Sequence, residues 1–354
     1  MAIQFKTNQV KCDIGSYLHY WRGVMKSGKT TLFYNLVKEQ YGDLNKGLLI
    51  SLGNELGYKA LDNLVYAEAP TWGDMVEIID SLVEEKENNE FEIVALDTVD
   101  EMVKLGMQEV KRLHKKLKGT SVEFNACFGG YAAPRHKLTE LIDEQISRLE
   151  RAGYGLVFIG HTKIKDIKEK NGDEYQQLTS NLNSDYDGIF ANKADIVMTI
   201  VIEKEINESK HIEGIERYMY FRSDGFVDAG GRFTNVPDKI EYGADNYIKA
   251  FEQAVKGNIT GKISDKEIAK RKQTEVSERK KAALEYAEEV KNNSINLDLN
   301  EELKEFISTK YGELNTKQKK EFKTLMAEKG IESFKDVSEI PTENLQALAD
   351  FFNE

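Results

Sequence analysis

The chain reads as an α/β fold with a mainly parallel sheet, followed by a small helical module, and three observations predict this. The first is Gly23-Val24-Met25-Lys26-Ser27-Gly28-Lys29-Thr30, with Thr31 directly behind it. This run meets the phosphate-binding pattern G-x-x-x-x-G-K-[ST] at every required position. The second is a set of short apolar runs, at 47–52, 91–97 and 155–160, alternating with helical stripes. The third is a change of composition after Lys256, where basic residues accumulate and large apolar ones thin out before periodicity returns at 297–354. Domain boundaries follow at 1–255, 256–296 and 297–354.

Taken in order, residues 3–22 read as a short β lead-in, with Tyr17-Leu18-His19-Tyr20-Trp21 as its strand. The loop comes next. A polyphosphate needs several backbone N–H groups pointing inward, and small residues let the chain curl closely enough to supply them. Lys29 reaches the β- and γ-phosphate oxygens, and the Thr30 hydroxyl holds Mg²⁺. The helix at 30–40 aims the positive end of its dipole at the phosphates. With ordinary residue usage, a chance match to the pattern is about one in a hundred for a chain of this size.

Residues 47–52 form a buried strand closed by Gly53, and 63–67 a short third one. The segment 72–85 carries Met75, Ile78, Ile79, Leu82 and Val83 at helical spacing and ends in a solvated turn at 84–89. The strand 91–97 ends on Asp97, the form of a Walker B acid beside the phosphates; the competing role is a cap for the next helix. A basic stretch at 104–118 is opposed only by Glu109, and 119–135 reads as a loop before a helix bearing Leu138, Leu141, Ile142, Ile146 and Leu149. The strand 155–160 delivers His161, followed by Thr162, to the ligand crevice, which makes His161 a candidate γ-phosphate sensor; the alternative is a histidine satisfied by backbone contacts. Residues 163–193 read as another loop, in which Lys163, Lys165, Lys168, Lys170, Tyr175, Tyr186 and Phe190 mix charge with rings that stack on a single strand; a solvated flexible loop competes with that reading. Strands at 194–203 and 217–222 and a helix at 244–255 close the core. The stretch 256–281 reads as an exposed helix or linker, and three short helices follow, centred on Leu303/Phe306/Ile307, Phe322/Leu325/Met326 and Leu345/Leu348/Phe351/Phe352.

Composition narrows the classes. The chain has 354 residues, 40% of them hydrophobic and 31% charged. Its net charge of −12, from 49 basic and 61 acidic residues, speaks against a protein coated in positive charge for duplex DNA and leaves room for local basic loops. No apolar run approaches a membrane span, so no membrane partner is expected, and the first residues lack a signal-peptide core. Two cysteines, Cys12 and Cys127, are too few for a disulfide framework and fit a reducing cytoplasm. Five scattered histidines without a Cys-x-x-Cys pair argue against structural zinc.

This order of parts resembles the RecA-like ATPase core over roughly residues 1–255. More narrowly, the short N-terminus and Ala229-Gly230-Gly231-Arg232-Phe233 look like phage-encoded nucleotide-binding proteins of the RecA-like single-strand-annealing recombinase group. The resemblance implies ATP and Mg²⁺ bound at Lys29, Thr30 and Asp97, a polar switch at His161, and single-stranded DNA held by 119–135 and 163–193. It also implies a homo-oligomer whose sites lie between subunits, with a neighbour's basic residue completing each; Arg222 is the first candidate, then Arg217 and Arg232. The sequence departs from the family at the catalytic glutamate. The expected place falls near Gly53, so Glu55, shifted in register, and Glu101 compete to orient the attacking water. Two other readings stand beside this one. A small-molecule P-loop kinase is disfavoured because 163–193 carry no arginine. A nucleotide-gated interaction protein with slow turnover would use the helical module at 297–354 to dock a protein partner.

Overall fold

A computed structural model of the chain describes residues 7–170, 172–206, 212–334, 336–338 and 340–352. The expected lead-in at 3–6, and Asn171 within the 163–193 segment, lie outside them. The chain forms two compact units, Met1–Leu284 and Glu285–Glu354.

The first unit is built on one sheet. Its strands are β1 (Leu18–Gly23), β2 (Gly47–Leu52), β3 (Tyr66–Ala69), β4 (Ile93–Asp97), β5 (Gly155–Lys168), β6 (Glu174–Ser180), β7 (Ile196–Ile206), β8 (Ile212–Tyr220), β9 (Gly230–Gly231) and β10 (Lys239–Glu241). Their order is β10-β8-β7-β1-β5-β4-β2-β3, with β6 on β5 and β9 on β7. The run β7-β1-β5-β4-β2-β3 is parallel throughout. The pairs β7–β8, β8–β10, β5–β6 and β7–β9 are antiparallel. The expected α/β fold with a mainly parallel sheet is what the chain forms.

The apolar runs are continuous because helices cover both faces. In β1, Trp21 turns toward one face, where its ring meets Tyr247 at 5.1 Å, edge to face. Tyr20 turns toward the other and packs against Phe158 and Phe190. Helix α1 (Lys29–Tyr41) buries Leu32, Phe33, Leu36 and Val37, and Gly42 in the left-handed region (φ 69°) ends it. Helix α2 (Trp72–Glu84) starts on a capping box between Thr71 and Asp74. Helices α3 (Val99–Lys118), α4 (Ala133–Arg151), α5 (Ser184–Ala191) and α6 (Ala244–Asn258) complete the layers.

Three segments differ from the sequence expectation. The third strand lies at Tyr66–Ala69, later than 63–67, because only there does it pair with Leu49–Leu52. The lead-in between residues 7 and 17 contains a short 3₁₀ turn, Ile14–Ser16, and no strand. The 163–193 segment is not a loop. β5 continues to Lys168, pairs antiparallel with β6 from Thr162↔Ser180 to Lys168↔Glu174, and is followed by α5. The extension has no apolar alternation strong enough to announce a strand, since one of its faces is solvent.

After α6 comes α7 (Asp265–Glu313), a 49-residue helix. The sequence reading of 256–281 as exposed holds for much of this helix, yet Glu275 and Ala283 are buried against the first unit. Arg279 donates to Asp13 Oδ2 (2.7 Å), Ser16 Oγ (2.7 Å) and Glu92 Oε2 (2.9 Å). The second unit packs the end of α7 with α8 (Thr316–Glu328) and α9 (Thr342–Asp350) around Ile307, Phe322, Leu345 and Leu348. Buried Asn300 donates to Val337 O (3.1 Å) and Ile340 O (2.9 Å), fixing the loop before α9. The first of the three expected short helices is the end of α7. No helix among the described residues is long and apolar enough to cross a membrane.

Candidate nucleotide site

Parallel strands put their C-terminal tips on one edge, and the candidate residues gather there. Register fixes the neighbours: Gly23 lies opposite His161, and Asp97 opposite Ser51 and Ile159.

The loop after β1 is shaped by its glycines. Gly28 has φ 102° and caps α1, its carbonyl accepting from Leu32 N–H at 2.8 Å. A Cβ on Gly23 would stand 2.5 Å from Ser27 Oγ, so the first glycine makes room for the serine. Ser27 is fully buried, and its hydroxyl finds no hydrogen-bond partner among the described residues. Val24, Met25 and Lys26 are exposed at the crest, and Thr31 faces solvent on α1. Lys29 is only 6% exposed; its ammonium crosses the loop and donates to Gly23 O (2.9 Å) and Val24 O (3.0 Å). Burial pulls the Lys29 ammonium below its usual range, opposed by the charges of Asp97, Asp100 and Glu55.

Thr30 Oγ1 donates to Asp97 Oδ2 at 2.8 Å. Burial pushes the Asp97 carboxyl up to about 6, with the Thr30 hydrogen bond opposing it. Asp97 does not cap α3; Thr98 does, its hydroxyl accepting from Glu101 N–H at 3.4 Å. A hydroxyl against one buried carboxylate suits Mg²⁺, a hard cation that keeps several waters and takes its remaining ligands from phosphate.

His161 stands between two charged groups. Its Nδ1 lies 3.4 Å from Lys29 Nζ, and its Nε2 lies 3.5 Å from Glu55 Oε1. Its ring partners are therefore side chains, not backbone. Glu55 reaches the site on the loop after β2. Ser51 Oγ donates to Glu55 O at 2.6 Å, and a Cβ on Gly57 would come within 2.9 Å of Thr30 Oγ1, so this loop crosses over Thr30. The hydrogen bond from His161 holds the Glu55 carboxyl below its usual range. Glu101 is engaged differently: it pairs with Lys104 on the same helix and lies against Gly53, where a Cβ would meet its Oε2 at 2.7 Å.

The structure separates the three arginines. β8 runs antiparallel to β7, so Arg217, opposite Ile202, lies past Gly23, which stands opposite Ile200. Arg222 follows Tyr220, opposite Thr199, and has passed back toward the other end of the sheet. Its guanidinium donates to Phe233 O and, at 3.2 Å, to Thr234 O. Arg232 pairs with Asp195 at 2.9 Å, near the N-terminal end of β7. Only Arg217 of the three sits at the loop's end of the sheet, with its guanidinium 5.8 Å from the centre of the Tyr242 ring.

Three contributors escape sequence reasoning. Tyr242 donates its hydroxyl to Gly28 O (2.8 Å), walling one side of the loop; no motif marks it. Asp100, buried in the first turn of α3, accepts from the His161 N–H (2.9 Å) and from Asn181 Nδ2 (3.0 Å). Asn181 follows β6, and its own N–H donates to His161 O at 2.8 Å. The only sequence signal for Asp100 is a second acid three residues after Asp97, which helix geometry turns toward the next strand tip.

A family model described as an AAA domain matches residues 19–233. The match runs from β1 past β9 and takes in the loop, Glu55, Asp97 and His161, while Tyr242 lies beyond it. No curated protein matches the chain. The matched segment covers well over half of the 354 residues and carries a phosphate-binding loop on the tip of a central parallel strand; the chain belongs to the AAA-domain family, with a P-loop NTPase core.

Proposed function

We propose that this protein is a RecA-like ATPase that binds single-stranded DNA and assists phage-type recombination or replication as a homo-oligomer. The observation that carries the ATPase part is the hydrogen-bonded series Lys29–His161–Glu55 beside the Thr30–Asp97 pair. Backbone N–H groups of 24–30 and the Lys29 ammonium hold the β- and γ-phosphates of ATP, and Mg²⁺ at Thr30 and Asp97 would neutralise charge on the bridging and terminal oxygens. Glu55 orients the attacking water and accepts its proton. His161 reports through its contact with Glu55 whether a γ-phosphate is present. Glu101, already paired with Lys104, is the weaker candidate.

The DNA part is supported by the β5–β6 hairpin. Lys163, Lys170, Ile164 and Tyr175 are exposed on it, a mix of charge and apolar surface that suits an unpaired strand. Tyr131, almost fully exposed in the 119–135 segment, is a second stacking surface. The hairpin shares β5 with His161, so the two sites are joined by one strand. For the residue a neighbour contributes, the position of Arg217 at the loop's end favours it over Arg222, whose guanidinium is held by carbonyls of its own chain. The second unit, with a core of its own, supports a companion role for 297–354 in docking a protein partner.

The test is binding and turnover together. Labelled oligo(dT) should bind with an affinity that falls steeply as salt rises, and it should raise ATP turnover; no turnover, basal or stimulated, should survive Lys29→Ala. Turnover indifferent to DNA would sink the DNA part, and tight ATP binding without turnover would favour the nucleotide-gated interaction protein.

A further inference from the structure

The residue just before the loop is a buried arginine that the proposed chemistry does not use. Arg22 is 1% exposed, and a guanidinium so placed requires an opposite charge and acceptors for its N–H groups. Nη1 and Nη2 find acceptors in one residue far along the chain, while Nε has no hydrogen-bond partner among the described residues. Nη1 donates to Asp228 Oδ2 at 3.0 Å and Nη2 to Asp228 O at 2.7 Å, while Asp187 stands 3.7 Å away and Tyr20 donates to it. Asp228 sits in the segment between β8 and β9.

The same residue grips the hairpin. Thr179 Oγ1, on β6, donates to Asp228 Oδ2 at 2.8 Å, and the Asp228 N–H donates to Leu178 O at 3.0 Å. Thr199 Oγ1, on β7, donates to Asp228 O at 2.7 Å. One carboxylate oxygen thus joins β6 to the last residue of β1 before Gly23. Gly23 is the residue whose carbonyl accepts from Lys29.

We propose that Asp228 is a positioning residue that couples the β5–β6 hairpin to the phosphate loop through Arg22. Nucleotide held by the loop fixes Gly23 and hence Arg22; Arg22 fixes Asp228, and Asp228 fixes the end of β6. The coupling is reciprocal, so a ligand on the hairpin tightens the loop by the same factor. The inference rests on the nucleotide-binding reading of the loop and not on the identity of whatever the hairpin holds.

Amide hydrogen exchange of the full chain, with and without Mg²⁺-ATP, reads this directly. In the wild type, nucleotide should slow exchange across 174–180 as well as across 23–30. Thr179→Val removes one hydrogen bond at nearly constant shape, so the slowing at 174–180 should shrink by about fivefold, the usual worth of such a bond. Thr179→Ser, which keeps the hydroxyl, should restore it, a rescue that a purely packing role for Thr179 does not predict. Asp228→Asn should abolish it, provided the variant folds; the threonine pair decides the matter if it does not. Slowing at 174–180 that is equal in wild type and Thr179→Val overturns the coupling. So does slowing confined to 23–30. A chain whose turnover ignores DNA overturns the DNA reading above and leaves this exchange result standing.

Discussion

At the scale of single residues, the account depends on which acid faces the γ-phosphate. Glu55 and Glu101 both follow strand tips, but Glu55 lies 3.5 Å from His161 while Glu101 pairs with Lys104 and packs on Gly53. Glu55→Gln should therefore lower kcat for ATP by about 10²–10³-fold with little change in KM, whereas Glu101→Gln should stay within about threefold. Equal losses would assign the base to neither alone. Gly28 gives a second prediction. Its φ of 102° already excludes ordinary side chains, and a Cβ would stand 2.7 Å from the Tyr242 hydroxyl. Gly28→Ala should weaken ATP binding at least about tenfold, and adding Tyr242→Phe should recover only part of it, because it removes the nearest clashing atom and leaves the ring carbon Cζ at 3.0 Å and the backbone strain. A full recovery in a titration of ATP affinity would mean that sterics alone set the requirement. The loop and Asp97 are legible in the sequence because their chemistry lies in contiguous residues. Asp100, Asn181 and Tyr242 are not, because each acquires its role only when distant segments are brought to the same edge.

At the scale of elements, the hairpin shows why one reading fails. Residues 163–193 look irregular when scored for burial, since four of the six β5 residues beyond Thr162 and the first three residues of β6 are exposed. The Asn171-Gly172 pair between two strand-length segments is the available signal, being the strongest short-range mark of a hairpin turn. Helix α7 is hidden for a related reason: its buried residues recur sparsely along a mostly polar surface, so it reads as a linker. Within the first unit its contacts are apolar, through Ile268 and Ala283, as well as ionic. Asp13 is 1% exposed, with Arg279 at 2.7 Å and Lys272 at 3.5 Å. Arg279→Ala leaves that carboxylate short of a buried partner and also releases Glu92, so it should cost about 3 kcal/mol in denaturant unfolding of the first unit. A midpoint unchanged from wild type would show that α7 contributes little there.

At the scale of the whole molecule, the mainly parallel α/β sheet and the helical C-terminal region follow from patterns spread over many residues, which is why the fold class is legible in the amino-acid sequence alone. Global stability also carries a pH signature. Burial pulls the Lys86 ammonium down to about 7; it donates to Phe91 O at 3.1 Å and lies 3.5 Å from the centre of the Tyr154 ring. Between pH 7 and the usual lysine range, the unfolded chain binds a proton that the folded chain lacks, so stability rises with pH there, by at most about 1.4 kcal/mol per unit. Below pH 7 both states are protonated and this slope vanishes. Lys86→Met should flatten the rise of unfolding temperature between pH 7 and 10; an unaltered slope would place its cause elsewhere.

The central claim is that the strand-tip cluster around Lys29 is a site for ATP hydrolysis. Phosphate release from Mg²⁺-ATP by the purified chain, measured for wild type, Lys29→Ala and Glu55→Gln side by side, tests it most directly. The account predicts turnover in the wild type, loss of both binding and turnover in Lys29→Ala, and retained binding with turnover lowered by about 10²–10³-fold in Glu55→Gln. Wild-type turnover that persists in Lys29→Ala would contradict it.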